Sequence, residues 1–406
     1  MGIETCVGSE LAGFWDAVAR GRSGIAPIES FDVSSYPCKI GGEVDHHPEE
    51  FLSVSECRRT SRFQQLGLTS ALRARANEIR ADPARIGVIV GSGGGGLPLV
   101  ASIIDPLLRR GWKSIDRFAM LKTLPNMAAG LIAQTVGATG PVLTVCTACS
   151  ASTDAIGMGW RLIRAGEVDV AVVTGVDICV SDVTHACFSH LRVLSTTPPE
   201  RAATASRPFD LDRNGMVPAE GAGTVILEAA DSPHQLLGEP LGEILGAAST
   251  CDAFHPVMPR ADAGPASAAI RQALVAADVD PAEIALVSAH GTSTRLNDIS
   301  ETQAAKLALG GHAFAVPITA TKSVVGHAGG ACGVIEFVAM VVALSERFAP
   351  PTANLETPDP QCDLDYVSNS GRAIEGELGL KLSFGFGGQN SVLVFRGSRA
   401  GVVNVV

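Results

Sequence analysis

Apolar residues follow two rhythms along this chain. Short, nearly unbroken runs rich in valine, isoleucine and leucine stand at 86–90 (IGVIV), 142–146 (VLTVC), 168–175 (VDVAVVTG), 223–229 (GTVILEA), 284–290 (IALVSAH), 315–321 (AVPITAT) and 391–395 (SVLVF). Runs of this length that lack strict alternation predict strands buried on both faces. Helical stretches separate many of them. The alternation predicts an α/β chain whose mainly buried strands lie between helices.

The second rhythm is a helix apolar nearly all round, and it occurs twice. In one case a strand runs up to Cys149 and the segment SASTDAIGMGWRLIRAG (150–166) follows. In the other, a strand and a turn lead to His327 and AGGACGVIEFVAMVVALSERF (328–348) follows. Helices with so few polar positions are buried on all sides. Two of them predict a helical layer between two sheets, with Gly157, Gly159, Gly329, Gly330 and Gly333 allowing close backbone approach. The polar stretch AADSPHQLLGEP (229–240), with Pro233 and Pro240, marks a boundary between two similar halves, 1–235 and 236–406.

Bulk composition narrows the classes of function. Hydrophobic residues make up 46% of the 406 positions and charged residues 18%, ample for a large core. A net charge of −11 argues against a general nucleic-acid binder. No basic-then-apolar signal segment opens the chain, and the apolar run 333–344 contains Glu336 and is too short to span a bilayer. Ten cysteines without a repeating framework predict free thiols in a reducing, cytoplasmic setting.

Three motifs invite chemical readings that their surroundings do not support. Cys146 and Cys149 have the spacing of half a zinc site, but no second close Cys or His pair completes four ligands, so no metal is expected. GSGGGG (91–96) matches a dinucleotide-binding turn, yet no following strand ends in an acid at the required distance. A nicotinamide-dependent oxidoreductase would rest on that run alone; a tight turn is the simpler reading. DLDRNGMVPAEG (210–221) imitates a calcium loop through Asp210, Asp212, Asn214 and Gly215, but its twelfth position is Gly221, with Glu220 one place short. It reads as a structural turn.

Three segments remain. Cys149 lies where a strand gives way to a helix, so the helix N-terminus is expected to lower its pKa. Cys146, inside the strand pattern, is expected to be buried and inert. His290 closes another strand and is followed by small hydroxyl residues, Asp298 and Glu301; Lys322 and His327 precede the second apolar helix. One cysteine and two histidines, each at the end of a strand, suit nucleophilic and acid–base work.

The segments TACSAS, AHGTST, TKSVVGHAGGACG and SFGFGGQN, in this order and spacing, resemble the signatures of β-ketoacyl-acyl carrier protein synthases of the elongating type. This resemblance implies the thiolase fold, duplicated halves in a five-layer α-β-α-β-α sandwich, and a homodimer or a heterodimer with a second ketosynthase-like chain. It implies that Cys149 accepts the acyl group, that His290 and His327 serve decarboxylation, and that Lys322 and Glu301 form a supporting polar pair. Phe386 would be a gate whose N–H joins that of Cys149 in an oxyanion hole. Thr292 and Thr294 would touch the phosphopantetheine arm, and Val100 and Phe188 the acyl chain. Arg58, Arg59, Arg62, Lys113, Arg117 and Arg192 would dock acyl carrier protein. No separate cofactor is implied, because phosphopantetheine arrives on the carrier.

Neighbouring classes fit less well. A degradative thiolase would carry a second cysteine where this chain reads GFGGQN, and a chain-length partner would lack Cys149. The chain departs from the family pattern in three places. MGIETCVG matches only the end of the family's first strand, so most of that strand is expected to be missing: either the start is assigned too late or another segment fills the gap, the tail GVVNVV (401–406) being one candidate. Val257 and Gln389 stand where hydroxyl or histidine side chains are usual. Acyl length, and fatty-acid against polyketide synthesis, are left open.

Overall fold

The computed structural model describes residues 1–230 and 238–398. Residues 2–228 supply one five-stranded sheet and residues 242–397 another. The first contains β1 (Gly2–Glu4), β2 (Ile86–Gly91), β3 (Val142–Val145), β4 (Val170–Ile178) and β5 (Glu220–Glu228), in spatial order β3-β2-β4-β5-β1. The second contains β6 (Gly242–Cys251), β7 (Ile284–Ser288), β8 (Ile318–Thr319), β9 (Leu378–Gly385) and β10 (Gln389–Gly397), in order β8-β7-β9-β10-β6. Numbered within each half, both sheets run 3-2-4-5-1. The first three strands in this order pair in parallel and the last two join antiparallel, in both sheets. The duplication inferred from the two apolar helices therefore extends to every strand pairing.

Helices complete five layers. Helices α1 (Arg62–Arg73) and α3 (Asn126–Val136) cover the outer face of the first sheet; α6 (Gly264–Ala277) packs on β6 and β10, with α7 (Arg295–Leu309) beside it. Between the sheets lie α4 (Ala151–Arg164) and α8 (Cys332–Ser345). Every residue of α8 from Cys332 to Leu344 is buried, as an all-apolar helical surface requires. The two inner helices meet closely at Gly333, where a Cβ would stand 2.5 Å from the Thr153 nitrogen. Helix α2 (Val100–Arg110) differs: it contains no buried residue, and α5 (Asp182–His190) contributes only Thr184 and His185 to the interior.

Several expectations need correction. The first strand is present but short: Gly2–Glu4 pairs antiparallel with Ala222–Thr224 at the sheet edge. The tail 401–406 lies outside the described residues, as does the middle of the polar boundary, 231–237. Strands β6 and β9 escaped the apolar reading because β6 (GEILGAASTC) is mostly small residues and β9 (LGLKLSFG) is interrupted by a lysine. The run at 315–321 yields only the two-residue β8.

The glycine run after β2 is a turn committed to the chain itself. The N–H groups of Gly93 and Gly94 donate to the Asp177 carboxylate at 2.8 and 3.0 Å, joined by Gly330 N–H at 2.7 Å and Ser92 Oγ at 3.2 Å. Donors spent on a buried carboxylate are not free for a pyrophosphate. In the calcium-like segment, Asp210 accepts from Arg207 and from the Glu356 and Thr357 backbone. No metal-ligating cluster occurs among the described residues, and no helix there is long and apolar enough to cross a membrane.

Candidate active site

Strand β3 ends at Val145, and a single 3-10 turn, Ala148–Ser150, carries Cys149 into α4. Ala148 adopts φ 51°, a left-handed conformation that costs about 1–3 kcal/mol in a residue bearing a Cβ. The turn between β9 and β10 presses on this point. A Cβ at Gly385 would lie 2.7 Å from the Thr147 oxygen and 3.2 Å from the Cys149 nitrogen, so only glycine fits. The next residue, Phe386, directs its backbone N–H at the Cys149 sulfur. Gly387 and Gly388 follow with φ 83° and 77°.

From the second half, β7 delivers His290 and β8 delivers Lys322 and His327. The Glu301 carboxylate, on α7, grips the loop after β7 by accepting the His290 and Gly291 N–H groups at 2.6 and 2.8 Å. His327 is anchored through its backbone to the end of the calcium-like segment: its N–H donates to Val217 O at 2.8 Å, and its carbonyl accepts Ala219 N–H at 3.0 Å. The two imidazoles meet edge to face with centroids 5.7 Å apart.

Their hydrogen bonds fix the tautomers. Lys322 Nζ lies 3.2 Å from His290 Nδ1, and an ammonium only donates. Gly329 N–H donates to His327 Nδ1 at 3.1 Å. Each Nδ1 is therefore an acceptor, and each neutral ring carries its proton on Nε2. Burial, followed by the charge of Lys322, holds His290 well below the ordinary histidine range and His327 down at about 3.

A cavity of about 470 Å³ joins these groups: Cys149, His290, His327, Phe386, Thr292 and Thr294 all line it. The Thr292 and Thr294 hydroxyls are 2.7 Å apart. Val257 and Arg192 lie in its wall as well.

Other expected residues are placed differently. Val100 starts the exposed α2, and Phe188 packs beside a cluster that includes Leu194 and Met216, the latter a wall residue of the cavity; Val100 and Phe188 themselves do not line it. Arg62 is engaged by Glu220 and by Val44 O while its side chain is 42% exposed, so it has an ion-pair partner that Arg58 and Arg59 lack among the described residues. Arg58 and Arg59 are exposed at the end of the helix Val54–Arg59. Arg59 and Arg117 both approach the Phe118 ring, at 6.0 and 4.6 Å, and Lys113 lies over Trp112.

Both cysteine expectations are reversed. Cys146 is exposed, because β3 is an edge strand with a single neighbour. Burial pushes the Cys149 thiol up to about 11, with the Lys322 charge and the Phe386 N–H opposing that rise. In this site desolvation outweighs the lysine charge and the backbone N–H groups that oppose it.

Lys322 and Glu301 both contact His290, and Lys322 has a further partner that was not expected. Lys322 makes its ion pair with Glu336 of α8, not with Glu301. A second buried lysine, Lys381 of β9, takes the other Glu336 oxygen at 2.6 Å. Glu336 and Lys381 were not singled out from the sequence. The signal was there: a charge inside a run that is otherwise apolar requires a buried partner.

Comparison with known proteins agrees with this geometry. The family model described as beta-ketoacyl synthase, N-terminal domain, matches residues 1–232, and its C-terminal counterpart matches 241–356. The 3-oxoacyl-[acyl-carrier-protein] synthase 2 of Synechocystis sp. is 40% identical over 403 residues, covering 98% of this chain and 96% of that protein. The protein of the same name from Coxiella burnetii is 35% identical over 401 residues, covering 97% and 96%. Among solved structures, the ishigamide ketosynthase/chain length factor superposes with a TM-score of 0.89 at 29% identity, covering 98% of this chain and 97% of that one. A type II polyketide synthase acyl-carrier protein in complex with its ketosynthase, bound to a hexaketide, gives 0.86 at 31% identity, with 98% of each chain covered.

Proposed function

The chain belongs to the beta-ketoacyl synthase family and condenses a malonyl group on acyl carrier protein with an acyl group; from that premise we propose how its own residues divide the work. Cys149 takes the acyl group: its sulfur attacks the carrier thioester, the thiol proton passes to the departing phosphopantetheine sulfur, and a new thioester forms. The Phe386 N–H aimed at this sulfur, together with that of Cys149, holds the tetrahedral oxyanion. Malonyl carrier then enters the same cavity. Its terminal C–C bond breaks, carbon dioxide leaves, and the electron pair becomes an enolate whose oxygen accepts hydrogen bonds from the His290 and His327 Nε2–H groups. The enolate carbon attacks the acyl thioester and expels the Cys149 sulfur as a thiolate, which takes up a proton from water, giving a 3-ketoacyl carrier two carbons longer.

The pair of Nε2–H tautomers, each set by a donor on Nδ1, carries this reading. Two neutral N–H donors side by side suit an enolate, and they offer no base to remove a proton instead.

The partners follow the same reading. Carrier protein brings the phosphopantetheine arm past Thr292 and Thr294, and no other cofactor enters the steps above. Arg58, Arg59 and Arg117 supply positive charge for an acidic carrier, with Arg192 at the cavity. A second ketosynthase-like chain, a copy of this one or a chain-length partner, covers α2 and the edge strand β3, where Val142 and Leu143 are 40% and 38% exposed. Such cover would enclose Val100. The free thiols suit a reducing cytoplasm.

The test uses Cys149→Gln, which removes the sulfur and presents an amide resembling an acylated side chain. Labelled carbon dioxide release should persist or rise while ketoacyl product falls to background. Full condensation by this variant would overturn the assignment. Mass spectrometry of the parent's products reads the acyl length.

A further inference from the structure

Strand β9 lies next to β7 and β10 in the middle of the second sheet, and it carries a lysine with no exposed surface. Lys381 Nζ is 2.6 Å from Glu336 Oε2 and 3.2 Å from Ser383 Oγ, and it also donates to Leu382 O. Glu336 and Lys322 are each 1% exposed. Lys322 has three protons and three acceptors: Glu336 Oε1, His290 O at 2.6 Å and His290 Nδ1 at 3.2 Å. Two ammonium groups thus share one carboxylate, an oxygen each. Ion pairing at this depth is expensive to assemble and costly to leave half made.

We propose that Lys381 is a positioning residue for the condensation: by occupying the second oxygen of Glu336, it keeps Lys322 turned toward His290. Without it, Glu336 Oε2 has no other partner among the described residues. The nearest donor is then Lys322, and a carboxylate that turns to chelate one ammonium draws a proton away from His290 Nδ1. The ring loses the contact that fixes its tautomer. Lys381 never touches substrate; it acts through Glu336 and Lys322.

Charge balance points the same way. The triad sums to one positive charge. The groups facing it are His290, His327, Glu301 and the Cys149 and Cys332 thiols, and the field of Lys381 is one of the causes holding His290 neutral. Removing Lys381 alone leaves the triad neutral, so His290 takes up a proton at higher pH than before. A proton on Nδ1 repels the Lys322 ammonium and releases the ring. Removing Lys381 and the Glu336 charge together restores a sum of one.

The experiment measures labelled carbon dioxide release from malonyl carrier between about pH 5.5 and 8.5, with thermal unfolding of each protein alongside. Lys381→Met should lose about tenfold or more in rate, the loss growing toward acid pH. Lys381→Gln replaces the ion pair by a neutral amide N–H beside Oε2, so it should recover the rate at the alkaline end and keep the acid loss. Lys381→Met/Glu336→Gln should return the acid limb to that of the parent, whereas a merely structural role predicts that the double variant is worse than the single. A folded Lys381→Met with the parent's rate and profile would overturn the proposal, as would a double variant with the acid limb still displaced. If Lys381→Met does not fold, Lys381→Gln decides alone, and a parent-like acid limb rejects the idea. The proposal rests on His290 acting as a donor. If His290→Ala keeps carbon dioxide release, that reading fails first; if it loses release while the Lys381 variants match the parent, only the role of Lys381 falls.

Discussion

The two halves share one backbone plan and use it for opposite purposes. In each sheet the third strand leads into a buried central helix, and the loop after the second strand faces the same place. In the first half these positions supply Cys149 and the glycine turn; in the second they supply Lys322 with His327, and His290. Each loop is held by a buried carboxylate that accepts two consecutive N–H groups, Asp177 at Gly93–Gly94 and Glu301 at His290–Gly291. The electrical surroundings differ. Asp177 is met only by backbone N–H groups and a serine, whereas the second half holds two lysines and two imidazoles around Glu336 and Glu301. Duplicated topology provides two equivalent stations. Side chains then make one a place for a covalent bond and the other a place for charge.

That division can be broken most severely at the histidines. His290→Ala or His327→Ala should lower carbon dioxide release by about 10²–10³-fold, since each removes one donor to the enolate. Acylation of Cys149, followed by mass spectrometry, should survive better than decarboxylation; an equal loss of both would erase the distinction between the stations. Asp177→Asn should act on both halves at once, because its partners include Gly93 and Gly94 on one side and Gly330, just before α8, on the other. The amide turns an N–H toward at least one of these donors, costing about 1–3 kcal/mol of stability, readable by denaturant unfolding. A stability unchanged from the parent would show that the cradle is not under such constraint.

Smaller effects sharpen the picture at the surface and in acid. Reversing Arg58 and Arg59 should raise the apparent KM for carrier protein by about two- to fivefold at low salt and little at high salt. Arg62→Ala should instead lower the melting temperature, because it leaves Glu220 buried without its partner. A separate effect, confined to the pH dependence of stability, concerns Glu301. Burial raises its carboxyl from 4.5 to about 7, so the folded protein holds an extra proton between those values. The stabilisation is complete below about 4.5 and fades as pH rises through about 7. The parent should therefore gain on Glu301→Gln as pH falls across this window in thermal melts; a constant difference would remove the effect.

The parts that were legible in the sequence are those whose physics is local. β2 and β4 are continuous apolar runs, and α8 is apolar all round, so burial on all sides followed directly. Cys149, His290 and His327 stand in segments where a strand gives way to a helix or loop, which brought them forward as chemistry before any partner was known. The less legible parts depend on neighbours distant in sequence. Cys146 sits in a strand pattern, yet only the sheet order shows that β3 is an edge. The Cys149 thiol lies at a helix start, yet the depth of its burial decides its acidity. Glu301 is near His290 in sequence and grips its backbone, while the true partner of Lys322 comes from α8 and is shared with β9. β9 itself was hidden by Lys381, the residue that makes it unusual.

The innermost layer also bears on how the molecule is assembled. Residues 332–344 fill the space between the sheets, so the first sheet leaves the ribosome before the helix that completes its inner face has been made. Until then α4 and the helix Leu11–Ala19 leave that face incomplete, and valines of β4 and β5 face water or a chaperone. Neither half has a finished surface of its own. Unfolding should therefore be a single cooperative event across the whole chain, and a chain cut between residues 230 and 240 should give fragments that associate or aggregate instead of two stable proteins.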